Sequence, residues 1–99
     1  MKPLLIQNKA AWHTIMQDAL ARTDQIAKLD PSWGLAQVVR RQLEFMQQCV
    51  EGGRAPTQDA MDRVDVGPIA ARNLEESDPE YANWLEELWY AFRNWERLP

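Results

Sequence analysis

The chain has 99 residues, 45% of them apolar and 26% charged, which suits one globular domain over 1–99 with a real hydrophobic core. A net charge of −4 argues against general binding to nucleic acid or to anionic membranes. Apolar runs stay far below the roughly 20 residues that span a bilayer, and Leu4-Leu5-Ile6 is too short for a signal-peptide core, so the expected location is cytoplasmic.

The predicted elements are all helical. The first runs from about Asn8 to Leu29, with Trp12, Ile15, Met16, Ala19, Ile26 and Leu29 at three- and four-residue steps for most of its length. Asp30-Pro31 ends it, because a residue before proline is pushed out of the α region. Asp30 or Ser32 then serves as N-cap of a second helix, whose stripe is Leu35, Val38, Val39, Gln42, Leu43, Met46, Cys49 and Val50. Gly52-Gly53 stops that helix, since glycine takes the left-handed conformation favoured at helix C-termini.

Thr57 caps a short helix reaching about Arg63, and "GPIAARNLEE" forms another of two to three turns, with Pro68 in its first turn. "SDPE" is the sharpest local signal: Asp78 as N-cap, Pro79 at the first helical position and Glu80 beside the positive helix end. From there a long helix is predicted to about Leu98, with Tyr81, Leu85, Leu88, Phe92 and Trp95 on one face. No alternating run with a hairpin turn marks a strand. The expected fold is all-α, a small bundle of three long helices with one or two short ones between the second and the last.

Reactive chemistry finds little support. His13 is the only histidine and Cys49 the only cysteine, so neither an internal disulfide nor a four-ligand zinc site can form. A free cysteine on an apolar helix face reads as a small core side chain, and His13 as a surface or boundary residue. "EGGRAPT" lacks the Gly-Lys-Ser/Thr ending of a phosphate loop, and no glutamate is followed three residues later by histidine as di-metal bundles require. No cofactor, metal or catalytic residue is expected. An enzyme would need Glu75, Glu76 or Glu87 in a cleft with a strongly raised pKa. Glu86 and Glu87 are expected instead on the polar side, opposite Leu85 and Leu88.

Charge and aromatic content point elsewhere. From Asp59 to Glu87 there are nine acids and two bases, a net −7, against six acids and nine bases in the remainder. Five tryptophans accompany this polarity, and Trp84 and Trp89 fall beside the core face of the last helix rather than on it. Indole rings are over-represented at binding hot spots, and acidic charge speeds encounter with a basic partner. The expected role is binding another protein.

The segment "VDVGPIAARNLEESDPEYANWLEELWY" resembles a family of small helical immunity proteins of type VI secretion systems, which protect a bacterium from NAD(P)+ glycohydrolase toxins delivered by its kin. The similarity lies in Val66-Gly67, Ile69-Ala70, Arg72, Glu75, Asp78-Pro79-Glu80 and Leu85, and upstream in Gln42-Leu43-Glu44-Phe45 before the glycine stop. The resemblance implies a non-enzymatic inhibitor that covers the active-site cleft of a cognate toxin. No nucleic acid or membrane partner is expected, and the free protein is a monomer or a homodimer. Asp65, Arg72, Glu75, Glu76, Asp78 and Glu80 are the expected polar contacts, with Trp84 and Trp89 as apolar anchors. Asp78 divides between capping and contact, while Gly67 and Ala70 let helices approach closely. The alternative is a helical adaptor or regulatory module bridging two endogenous proteins through the same surface.

Overall fold

The computed structural model describes residues 4–99; residues 1–3 of the segment weighed above as a signal peptide lie outside the described residues. Helix α1 (Lys9–Leu29) starts where Asn8, in extended backbone, accepts the Ala11 N–H on its side-chain oxygen, and it closes at Asp30, whose N–H returns to the Ile26 carbonyl. Both ends thus satisfy groups that a helix leaves unpaired.

Helix α2 (Leu35–Cys49) begins differently from expectation. Its N-cap is Gly34, with no side-chain cap, and neither Asp30 nor Ser32 serves it. Ser32 donates its hydroxyl to the Asp30 carboxylate at 2.6 Å, so these two polar side chains meet each other across the turn. After α2 a 3-10 turn, Glu51–Gly53, carries Gly52 at φ 72° and Gly53 at φ 82°, the left-handed geometry that glycine tolerates without penalty. Thr57 caps α3 (Gln58–Asp62) by accepting the Ala60 N–H. Helix α4 (Val66–Asn73) follows, and α5 (Pro79–Arg93) is capped by Asp78, which accepts the Tyr81 N–H at 3.3 Å.

The last helix is shorter than its apolar steps suggest. The Asn94 amide donates to the Tyr90 carbonyl at 2.9 Å, taking the acceptor that the Asn94 N–H would use in a continuing α-helix. That N–H bonds Ala91 instead, and the chain tightens into a 3-10 turn, Trp95–Arg97. Trp95 remains buried. Among the described residues there is no strand, and the architecture is all-helical.

Helix α1 packs on both α2 and α5, while α4 lies along α5 and touches α2 more lightly. One apolar cluster runs through these contacts, with Trp12, Met16, Val39, Leu43, Met46, Leu85, Leu88 and Phe92 out of contact with water. Trp12 sits at its centre: its indole N–H donates to the Leu88 carbonyl at 3.1 Å, and its ring meets Trp95 edge to face at 5.0 Å. Leu29 and Val38, placed on apolar stripes by their spacing, face solvent instead. Leu29 is the last residue of α1.

A second tie joins α1 to α5 inside the core. The buried Thr23 hydroxyl donates to the Ala19 carbonyl and shares a 2.5 Å hydrogen bond with the Tyr81 hydroxyl. Burial raises the Tyr81 hydroxyl above its ordinary 10.0, against a smaller opposing pull from the Thr23 hydrogen bond. The fold therefore holds this proton to higher pH than the unfolded chain does, so the contribution is complete below the unfolded value and falls as pH rises through the folded one. Urea midpoints are expected to drop as pH is taken above about 10, and less so in Tyr81→Phe. Equal slopes in the two proteins would remove Tyr81 from the alkaline transition.

Candidate functional site

The residues expected to meet a partner lie on the antiparallel pair α4–α5 and its flanks. Asp65, just before α4, exchanges two hydrogen bonds with Gln42 of α2: its N–H donates to Oε1 at 2.9 Å and its carboxylate accepts from Nε2 at 2.5 Å. It anchors the start of α4 to α2. Arg72, near the end of α4, and Glu75 and Glu76, in the connecting turn, are exposed.

Arg22 of α1 gathers the next three. It donates to Asp78 at 2.8 Å and to Glu80 at 3.0 Å, and its guanidinium lies 5.0 Å from the centre of the Trp84 ring. The hydrogen bond it donates to Asp78 is the main cause holding the Arg22 pKa above its ordinary value. Asp78 thus caps α5, pairs with α1 and still keeps part of its surface in water. A planar, forked guanidinium suits this double role better than an ammonium group would.

Trp89 turns the other way. Its indole N–H donates to the Val64 carbonyl at 3.0 Å, Arg93 lies 5.3 Å over its ring, and the ring rests on Gly67 of α4. Five helical residues rotate roughly 140° about the axis, so Trp84 and Trp89 sit on opposite flanks of α5. The structure brings Asp78, Glu80 and Trp84 together and leaves Asp65 and Trp89 at the far end of the α4–α5 pair. Gly67 and Ala70 are buried where α4 meets α5, as close helix approach requires.

Elsewhere the chemistry is structural. His13 is exposed and edges onto Trp12 and Trp95 at 5.2 and 6.1 Å. Cys49 is half-buried, and desolvation pushes its thiol pKa up, away from the reactive thiolate. Among the described residues no group of three or more His, Cys, Asp or Glu could hold a metal ion, and no helix is long and apolar enough to cross a membrane.

Glu87 corrects the sequence expectation. It is only 9% exposed, not on a solvated face. One carboxylate oxygen accepts the Leu5 and Ile6 N–H groups at 2.7 and 3.0 Å, and the other accepts from the Asn83 amide at 2.9 Å. Three donors offset the cost of burying the charge. Helical spacing could not reveal this, because two of the three donors belong to a non-helical segment more than 80 residues away.

Tyr90 was also missed. It is 57% exposed and stands between two grooves, one between α5 and the N-terminal segment and one between α5 and α4. Its only sequence signal is an aromatic ring on the polar side of an amphipathic helix.

A family model described as Tsi6 matches residues 12–94. No curated protein and no solved structure matches the chain.

Proposed function

On the premise that the chain belongs to the Tsi6 family of type VI secretion immunity proteins, we propose that it neutralises an NAD(P)+ glycohydrolase toxin by covering that enzyme's active-site cleft. The family match over residues 12–94 carries this reading. Immunity implies a cognate toxin as partner, and families of this kind are generally non-enzymatic. The whole chain acts as one binding domain, without a cofactor, in the cytoplasm where a glycohydrolase would meet NAD+.

Further support comes from the surface. Asp78, Glu80, Glu75 and Glu76 give the α1–α5 end an acidic character that complements a basic cleft, and the Trp84 ring lies under the Arg22 guanidinium among them. Asp65, Arg72 and Trp89 complete the proposed contacts, with Asp65 and Trp89 also serving the fold.

Co-expression with the toxin domain encoded by the adjacent gene tests the reading. Host growth and NAD+ content are expected to recover when both are made. Persistent NAD+ depletion, or a toxin that consumes no dinucleotide, would refute it. In the purified complex, Trp84→Ala is expected to cost on the order of 2 kcal/mol of affinity. Asp78→Asn keeps the helix cap and isolates any contact made by the carboxylate charge.

A further inference from the structure

Arg22 lies on α1, outside the residues that spacing and charge single out, yet three of the contacts proposed above converge on it. Its terminal nitrogens divide between two carboxylates, Nη1 reaching Asp78 at 2.8 Å and Nη2 reaching Glu80 at 3.0 Å. The guanidinium also lies over the Trp84 ring, 5.0 Å from its centre. Glu80 and Trp84 are four residues apart, so they share a flank of α5, and Arg22 ties that flank to α1.

The framework beneath the guanidinium is fixed. Asp78 accepts the Tyr81 N–H on Oδ1 and Arg22 on Oδ2, so both of its oxygens are engaged. The Tyr81 hydroxyl meets that of Thr23, the residue after Arg22, at 2.5 Å inside the core. Arg22, Asp78, Tyr81 and Thr23 thereby close a loop of contacts between α1 and α5, and the arginine projects from a rigid base.

Stability alone does not account for the arrangement. The Glu80 side chain is 67% exposed, and an ion pair in so much water adds little to folding. What the guanidinium supplies is order. Without it, Glu80 would be a long side chain free to rotate, and the Trp84 ring would lose its cover from α1. Side chains already held in one conformation need not be immobilised when a partner arrives, and preorganised surfaces gain affinity in this way.

Resting on the immunity reading above, we propose that Arg22 is a positioning residue for toxin binding, holding Glu80 and Trp84 in the arrangement that the toxin meets.

The consequence runs against simple attraction. Removing Arg22 leaves this end of the molecule more negative by one charge, which by itself would speed encounter with a basic surface. Loss of order acts on dissociation instead.

The test is to measure association and dissociation rates between the full chain and the toxin domain encoded by the adjacent gene. Arg22→Ala is expected to weaken affinity about 10-fold through faster dissociation, with association unchanged or faster. Arg22→Lys keeps the charge without the fork and is expected to fall between the wild type and Arg22→Ala. It carries the test by itself if the alanine variant does not fold. In a Glu80→Ala, Trp84→Ala background, Arg22→Ala is expected to change affinity less than about twofold, because nothing is left to position. If the wild type binds and Arg22→Ala dissociates no faster, even with a lower melting temperature, the role is structural only and the proposal fails while the immunity reading stands. An undiminished loss in the background lacking Glu80 and Trp84 would make Arg22 a direct contact and equally refute positioning. A wild type that binds no toxin at all overturns both.

Discussion

Trp12→Ala is expected to lower the unfolding free energy by about 3–5 kcal/mol, the largest effect of any single truncation considered for this chain. The ring is wholly buried, meets Trp95 edge to face at 5.0 Å and donates to the Leu88 carbonyl. Truncation would lose the transfer energy of the indole, leave a cavity between α1 and α5, and strip a backbone acceptor of its partner. Domains of this size are stable by about 5–15 kcal/mol, so the variant should be partly unfolded near body temperature. Urea titration followed by far-ultraviolet circular dichroism measures the loss. A shift in midpoint worth less than about 1 kcal/mol would mean that the α1–α5 contact is not centred on this residue.

Gly67→Ala is expected to destabilise by about 1–3 kcal/mol, although alanine is ordinarily the better helix former. A methyl group at this position would sit 2.6 Å from two atoms of the Trp89 ring and 2.9 Å from a third. Either α4 moves away from α5 or the indole swings out and loses its hydrogen bond to Val64. Combining Gly67→Ala with Trp89→Ala makes the mechanism explicit: without the ring the added methyl should become neutral or favourable. That coupling is read from a double-mutant cycle. Additive losses, or a higher melting temperature for Gly67→Ala alone, would contradict the packing.

Local chemistry was the most legible part of the sequence. Thr57 and Asp78 cap α3 and α5, and the Gly52-Gly53 stop follows α2. These features depend on residues within one turn of each other. The α2 start was misread because Asp30 and Ser32, both good cap residues, satisfy one another instead. The end of α5 was misread because a 3-10 turn keeps Trp95 near the same apolar face, while the interrupting event is the Asn94 side chain.

Relations between distant segments were hidden for a different reason. Periodicity assigns each residue to a face of its own helix, but it says nothing about what will cover that face. Glu87 lies next to Leu88 in sequence and was placed in water, yet the N-terminal segment folds over it. Trp84 and Trp89 both border the apolar face, but on opposite flanks, one under a guanidinium of α1 and one against α4. Asp78 and Glu80 read as a helix cap and a first-turn acid that could meet a partner, and the structure adds the Arg22 of α1 that pairs with both.

The placement of the indoles equips the molecule with its own optical reporters. Trp12 and Trp95, crossed at 82° with centroids 5.0 Å apart, are close enough for their strong transitions to couple, so the far-ultraviolet dichroism should carry a signed indole couplet that vanishes when α1 parts from the C-terminal turn. Trp84 and Trp89, partly covered and stacked beneath arginines, are the rings whose emission would answer to an arriving macromolecule. Unfolding and complex formation should therefore be separable in a single unlabelled sample.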